Sequence, residues 1–233
     1  MSHKKASCVL AMVLFLGLSG LWAGDTATFV NLGFSPDGRI YMFGQFGVQA
    51  QTLRPWADLF IVDVEANEFV SNGKSSVVQD RPVVAGQNGS GALFYLVARN
   101  AALTASHNID YSLQAKPLFI SLDTRPCDPP RTIEFRDFEK GHYFRASLVS
   151  QVEGSGASLR SSFYINLEKT SSDGSVQTYQ IGTPQLKRPL VSAYHIRKVM
   201  IAPHNGSMIF VIEMIKRDGR HFDVRYMVEA VRL

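Results

Sequence analysis

The stretch FSPDGRIYMF, residues 34–43, carries the first decision about the fold. Ser35, Pro36, Asp37 and Gly38 fill a type I turn position by position: serine can hydrogen-bond the turn at its first place, proline fixes φ at the second, and glycine tolerates the exit geometry. Apolar residues stand on both sides, so the turn joins two strands. Residues 201–211, IAPHNGSMIFV, lay out the same order: an apolar residue, a small residue, proline, a polar turn ending in glycine, then a strand. Counted from each glycine, Tyr41 falls with Ile209 and Phe43 with Val211. Pro203, Asn205 and Gly206 therefore form a second copy of the turn, one residue longer than the first. Both copies read as structural marks and neither as a catalytic group.

Outward from this turn, strands dominate the hydrophobic pattern. The N-terminal part gives candidates at residues 28–34, 39–46, 57–64 and 68–71, and Asn72-Gly73 closes the group with favoured turn chemistry. The run Leu59-Phe60-Ile61-Val62 between two aspartates fits a strand buried on both faces as well as a half-exposed one. One short helix is expected around residues 91–103, where Leu93, Leu96, Val97, Ala101 and Leu103 approximate helical spacing and Ser90 can serve as N-cap. Residues 118–122 read as a short strand. From Arg131 the pattern is hairpins. Ile133 and Phe135 alternate with charged residues, and Phe163, Ile165 and Leu167 alternate against Tyr164, Asn166 and Glu168. Turns at residues 139–141 and 172–174 reverse the chain, and residues 154–158 read as a flexible connector. Long strands at 194–201, 208–215 and 222–231 follow, with Asp218-Gly219 turning the second into the third.

The first residues follow the grammar of a secretory signal. His3, Lys4 and Lys5 open it, an apolar run follows, and small residues place a cut after Ala23. The apolar stretch is short for a membrane span of about 20 residues. Residues 1–23 are thus expected to be a signal peptide, and residues 24–233 a single β-rich domain of an exported, periplasmic or extracellular protein without a stable membrane span. Losing Lys4 and Lys5 takes the net charge from +4 to +2. The remaining basic residues come as scattered pairs, so nucleic acid is not an expected partner. Cys127 alone of the two cysteines remains after the leader, so no internal disulfide is expected. It reads as an incidental residue of a proline-stiffened loop.

Two resemblances bear on these residues. FSPDGRIYMF followed by ADLFIVDVEANEFV (residues 57–70) resembles one repeat of the TolB-type β-propellers, through residues 34–38, Phe43, Ile61 and Asp63. The copy near Ile201 is degenerate, since His204-Asn205 replaces the aspartate. A blade spans about 40 to 45 residues, which residues 28–72 do. The expected fold is therefore mainly β, with meanders and hairpins, one short helix and propeller-like ends at 28–72 and 194–233; a β-sandwich is the alternative. Ring closure would require residues 28–34 to pair with the sheet that holds residues 222–231. Over most of the mature chain, LGFSPDGR (32–39), SSFYINLEK (161–169), YHIRKVMIAPHNGSMIFVIE (194–213) and VRYMVEAVRL (224–233) are similar to a family of secreted proteins of unknown function from spirochaetes. That resemblance implies an envelope or periplasmic location and supplies no catalytic residues.

No catalytic, cofactor or metal residues are assigned from sequence. Gly73-Lys74-Ser75 lacks the earlier glycine of a phosphate loop, where Glu68 stands. His221 and Asp223 share a strand face and His195 and His204 lie in the same segment, but no known metal-ligand spacing appears. Asn88-Gly89-Ser90 and Asn205-Gly206-Ser207 match the glycosylation pattern, and turn chemistry explains both. Glu134, Asp137, Glu139, Glu153 and Glu168 read as hairpin surface charges. Tyr41, Trp56, Tyr143 and Tyr164 are candidates for a ligand platform, with core packing, the usual place of aromatics in a β-rich chain, as the alternative. The function expected is non-enzymatic binding or scaffolding in a bacterial envelope, with other envelope proteins as partners. The alternative is an envelope glycan hydrolase working through paired carboxylates, whose separation only the fold reveals.

Overall fold

The computed structural model describes residues 24–122, 131–218 and 221–233, with only the backbone of Asp218 and His221. The expected leader with its cut after Ala23, Cys8, the expected loop of Cys127, the expected turn at Gly219 and the side chain of His221 lie outside the described residues. Three antiparallel sheets and two helices make up the fold. Sheet I is a meander of β1 (Thr28–Phe34), β2 (Ile40–Val48), β3 (Pro55–Asp63) and β4 (Glu68–Val78). Helices α1 (Ser90–Arg99) and α2 (Ala101–Ser106) follow, then β5 (Lys116–Ile120). Sheet III holds β6 (Thr132–Asp137), β7 (His142–Glu153), β8 (Arg160–Thr170), β9 (Val176–Ile181) and the two-residue β10 (Arg188–Pro189). Sheet II runs in the order β13 (His221–Val231), β12 (Met208–Asp218), β11 (Val191–Ile201), β5.

The layers follow from which strand faces are apolar. In β11 and β12, Tyr194, Ile196, Val199, Phe210 and Ile212 pack against Phe144, Phe163 and Ile165 of sheet III. The alternate residues Met200, Ile209 and Val211 pack against Tyr41, Phe43 and Phe60 of sheet I. Sheet I turns its second face, with Met42, Leu59 and Ile61, to Leu93 and Leu96 of α1. The order is helix, sheet I, sheet II, sheet III. Leu59-Phe60-Ile61-Val62 is continuous in apolarity because it is buried from both sides. This stacking corrects the propeller expectation: α1 occupies the face that a next blade would need, and among the described residues the sheets form no ring. β1 pairs with β2, not with the sheet of β13. Its lead-in does reach that sheet, since Thr26 bridges Val224 in parallel, Val224 N–H donates to the Asp25 carbonyl (2.8 Å) and Ala27 N–H to that of Val224 (3.1 Å).

Sheet I carries an aromatic ladder from β1 to β4. Phe34, Tyr41, Phe43, Phe60 and Phe69 stack in sequence with centroid separations of 4.5, 5.6, 4.8 and 5.8 Å. Such pairs contribute about 0.5–1.5 kcal/mol beyond their buried area. Tyr41 and Trp56 are therefore core residues and not a surface platform; Tyr41 is 0% exposed and Trp56 5%. Tyr143 and Tyr164 lie on sheet III and do not join them. The Tyr41 hydroxyl meets no partner among the described residues, and burial pushes its pKa up. An unmade buried hydrogen bond costs about 1–3 kcal/mol, so Tyr41→Phe is expected to raise stability by about 1 kcal/mol in urea denaturation. A loss of similar size would show that the hydroxyl has a partner.

Four further expectations are corrected. Asn72-Gly73 does not end a strand: β4 continues to Val78, and the two residues form part of a bulge, since β4 passes from Phe69 to Lys74 while β3 passes only from Val62 to Phe60. Asn72 takes φ 59° there. The single helix is two, broken at Asn100, whose side chain donates to the Leu96 carbonyl and accepts from Ser75 Oγ. Ser90 is the first helical residue and the N-cap is Gly89, because a Cβ at 89 would stand 2.3 Å from the Gly47 carbonyl. Residues 154–158 hold a short 3-10 turn (Gly156–Ser158) closed by reciprocal Ser155 and Ser158 hydrogen bonds.

The two repeated turns meet in space. In the first, Gly38 N–H donates to the Ser35 carbonyl and Ser35 N–H to that of Ile40, both at 2.8 Å. Asp37 Oδ1 accepts from Ser35 Oγ and from Arg39 N–H, which hold its carboxyl below the usual range. In the second, Ala202 N–H donates to the Ser207 carbonyl (2.8 Å), and Asn205 Oδ1 accepts from Ser207 N–H (2.8 Å). Asn205 thus takes the part of Asp37, accepting from the residue two ahead. The inserted residue is His204, at φ 62°. Gly38 lies against the Pro203 carbonyl, so closely that a Cβ there would be 1.7 Å from the oxygen.

Candidate functional site

Sheet I covers only part of the sheet II face it packs on. Around Met200, Ile209 and Ala230 the contact is closed. Further along, the residues of the same face open into a cleft of about 1020 Å³. Thr26 and Phe29 form the wall on the β1 side, Ser121 stands beyond β5, and Ile215, Phe222 and Val224 give an apolar floor. Strand β11 supplies the polar side. It is bulged twice against β12, at Ser192 and at Arg197, each an extra residue in the register. A bulge lets consecutive side chains share a face; accordingly Ser192 with Ala193, and Arg197 with Lys198, line the cleft.

At its centre stands Glu213 of β12, with its side chain 6% exposed. Arg197 grips it as a fork, Nε donating to Oε2 and Nη2 to Oε1, both at 2.9 Å. His195 Nδ1 lies 2.9 Å from Oε1, and the Tyr226 hydroxyl donates to Oε2 at 3.4 Å. Burial pushes the Glu213 carboxyl up, but the hydrogen bonds from His195 and Arg197 outweigh it and hold the group below its ordinary value. Burial and the neighbouring Glu213 charge push the Tyr226 phenol up to about 12. Tyr226 also fixes the cleft to sheet I, since its N–H donates to Gln45 Oε1 (2.7 Å) and Gln45 Nε2 donates to Asp58 (3.0 Å).

The chemistry open to this arrangement is limited. Glu213 is an ionised acid with both oxygens occupied, so it is a poor proton donor near neutral pH. It is also the only carboxylate among the described residues lining the cleft. Glycoside hydrolysis uses two carboxyl groups about 5–9.5 Å apart, and this cleft offers one. No three histidine, cysteine, aspartate or glutamate side chains converge as metal ligands among the described residues. His204 is exposed on the turn beyond β11, and Asp223 accepts from Asp25 N–H. Lys198 is half-buried beside the apolar floor and forms no ion pair among the described residues.

Ser35, Pro36, Asp37, Gly38, Pro203, Asn205 and Gly206 do not line the cleft; they lie where the first two sheets touch. The acids singled out from sequence are elsewhere too: Glu134, Glu139, Glu153 and Glu168 are exposed on sheet III and its turns. Asp137 is buried, and Lys116 binds it at 2.9 Å. Gly73-Lys74-Ser75 lies inside β4, which runs on to Val78, so no helix begins at the motif. The cleft had one sequence signal, a glutamate inside the apolar run MIFVIEMI (residues 208–215), where a charge on a buried strand needs a partner.

A family model described as Predicted secreted protein (DUF2259) matches residues 42–232. The chain belongs to this family. No curated protein matches the chain. The match takes in every cleft residue of β11, β12 and β13 and the turn at Pro203 to Gly206; it begins after the turn at Ser35 to Gly38. As a member of a family described as secreted, the protein is exported. Among its described residues no helix is long and apolar enough to cross a membrane.

Proposed function

We propose that this exported protein is a non-catalytic binding protein of the cell envelope or periplasm, and that its ligand occupies the cleft on sheet II. The observation that carries the reading is the cleft itself: about 1020 Å³ of mostly apolar space with one ion cluster at its centre and two bulges of β11 opening onto it. Ligand sites are concave and mostly apolar, with a few placed polar groups, and bulges are enriched beside such sites. The saturated state of Glu213 favours binding over turnover, because a catalytic acid or base needs an exchangeable proton within reach of the substrate. Envelope proteins that deliver or receive the ligand are the partners this role requires.

Native mass spectrometry of the protein recovered from cells that export it tests the reading. A retained small molecule, released on denaturation, is the expected result. Ile215→Trp, which fills the floor, is expected to lose that mass while keeping the wild-type circular dichroism. A ligand-free wild type, with turnover of an envelope glycan by the pure protein, overturns the proposal.

A further inference from the structure

The charge arrangement in the cleft narrows its ligand, on the premise that the binding reading above holds. Two cationic side chains, Arg197 and Lys198, enter side by side because the bulge at Arg197 gives both the same face. They are not equivalent. The Arg197 fork is closed on Glu213, so its charge is balanced inside the protein. Lys198 has no carboxylate within ion-pair distance among the described residues, although it is half-buried. A half-buried ammonium beside apolar surface lacks both full hydration and a counter-charge, and an anion supplies the second. From Lys198 the floor continues over Val211 and Ile215 to Val224 and Phe222, with Phe29 opposite. Phe222 remains 41% exposed, which leaves apolar surface for a ligand to cover.

We infer that the cleft binds a single-chain amphiphile with a carboxylate head, the head paired to Lys198 and the hydrocarbon chain lying along Ile215, Val224 and Phe222. One uncompensated lysine matches one negative charge. A phosphate monoester carries closer to two at neutral pH, and a cationic head would meet Lys198 with like charge. The volume is at the upper end of that of ordinary small-molecule sites, about 300–1,000 Å³, which suits a flexible chain.

The test is calorimetric titration of the full exported chain with sodium decanoate, decyl phosphate, decan-1-ol and decyltrimethylammonium, each below its micelle concentration. Decanoate is expected to bind at one equivalent per chain and at least about tenfold tighter than the alcohol, since a charge-assisted hydrogen bond is worth more than a tenfold change. The ammonium is expected to bind more weakly than the alcohol. Lys198→Gln should bring decanoate to the level of the alcohol and leave the alcohol unchanged. Ile215→Asp should abolish binding of both, with circular dichroism confirming that each variant is folded. Equal affinity for decanoate and alcohol, or no response to Lys198→Gln, overturns the anionic head; tighter binding of decyl phosphate overturns the carboxylate. If no probe binds while native mass spectrometry finds a retained molecule, the amphiphile is wrong and the binding reading stands. If nothing is retained and nothing binds, both fall.

Discussion

Replacing Gly38 by alanine is expected to destabilise the protein by about 3 kcal/mol or more, whereas the same change at Gly206 costs about 1 kcal/mol. The two glycines close the two copies of one turn and have the same backbone sign, φ 72° and φ 75°. An L-residue pays a similar left-handed penalty at either place. Their surroundings separate them. A Cβ on Gly206 meets nothing within 4 Å, while one on Gly38 would stand 1.7 Å from the Pro203 carbonyl oxygen. That oxygen belongs to the backbone of the other turn and cannot rotate away. Relief requires the β1–β2 and β11–β12 turns to part, which loosens the face where Tyr41 and Phe43 meet Ile209 and Val211. Urea denaturation of both variants measures the difference. Equal losses would mean that the turns are not in contact and that only their backbone angles matter.

The same contact shows how far the sequence could be read. Alternation located the strands because each of them has an apolar face that must be buried, and the repeated turn was visible because proline and glycine punctuate both copies. That the copies face each other was not, since turn chemistry is local and the stacking of sheets depends on which faces remain uncovered. Asn72-Gly73 misled for a related reason: the left-handed residue that suits a hairpin also suits a bulge, and only the register of β3 against β4 separates them. Helix α1 was legible from Leu93 and Leu96, but not the consequence that by covering Met42 and Ile61 it stops a ring of blades. At the cleft, Glu213 was not among the acids singled out, although a charge in an apolar run marks it. Its partners could not be read at all, because His195 lies opposite it on the neighbouring strand and Arg197 reaches it through a bulge that composition does not announce.

Glu213→Ala is expected to lower stability by about 3 kcal/mol at pH 7, the lower end of the range for removing one member of a buried ion pair, since the cleft leaves Arg197 22% exposed. The loss comes from what remains. Arg197 keeps its charge beside the apolar floor but loses the fork to Glu213, and the Tyr226 hydroxyl loses its acceptor. Replacing both members of the fork, as in Glu213→Leu with Arg197→Met, removes the partly buried guanidinium along with the carboxylate and should recover most of the loss, because well-packed apolar pairs often match a buried ion pair. The dependence on pH has a definite sign. Hydrogen bonds from His195 and Arg197, working against burial, lower the carboxyl from its ordinary 4.5. A carboxyl depressed by folding contributes stability that is fully present above its unfolded value and is lost as pH falls through the folded one. The wild type is therefore expected to lose this contribution only below about pH 4.5, and the gap to Glu213→Gln, which keeps the shape without the charge, should narrow through the same window. Chemical denaturation of the two proteins from pH 7 to pH 3 measures it. A gap that stays constant over that range would mean that Glu213 acts through shape alone, and the ion cluster would then hold no charge-dependent part of the cleft.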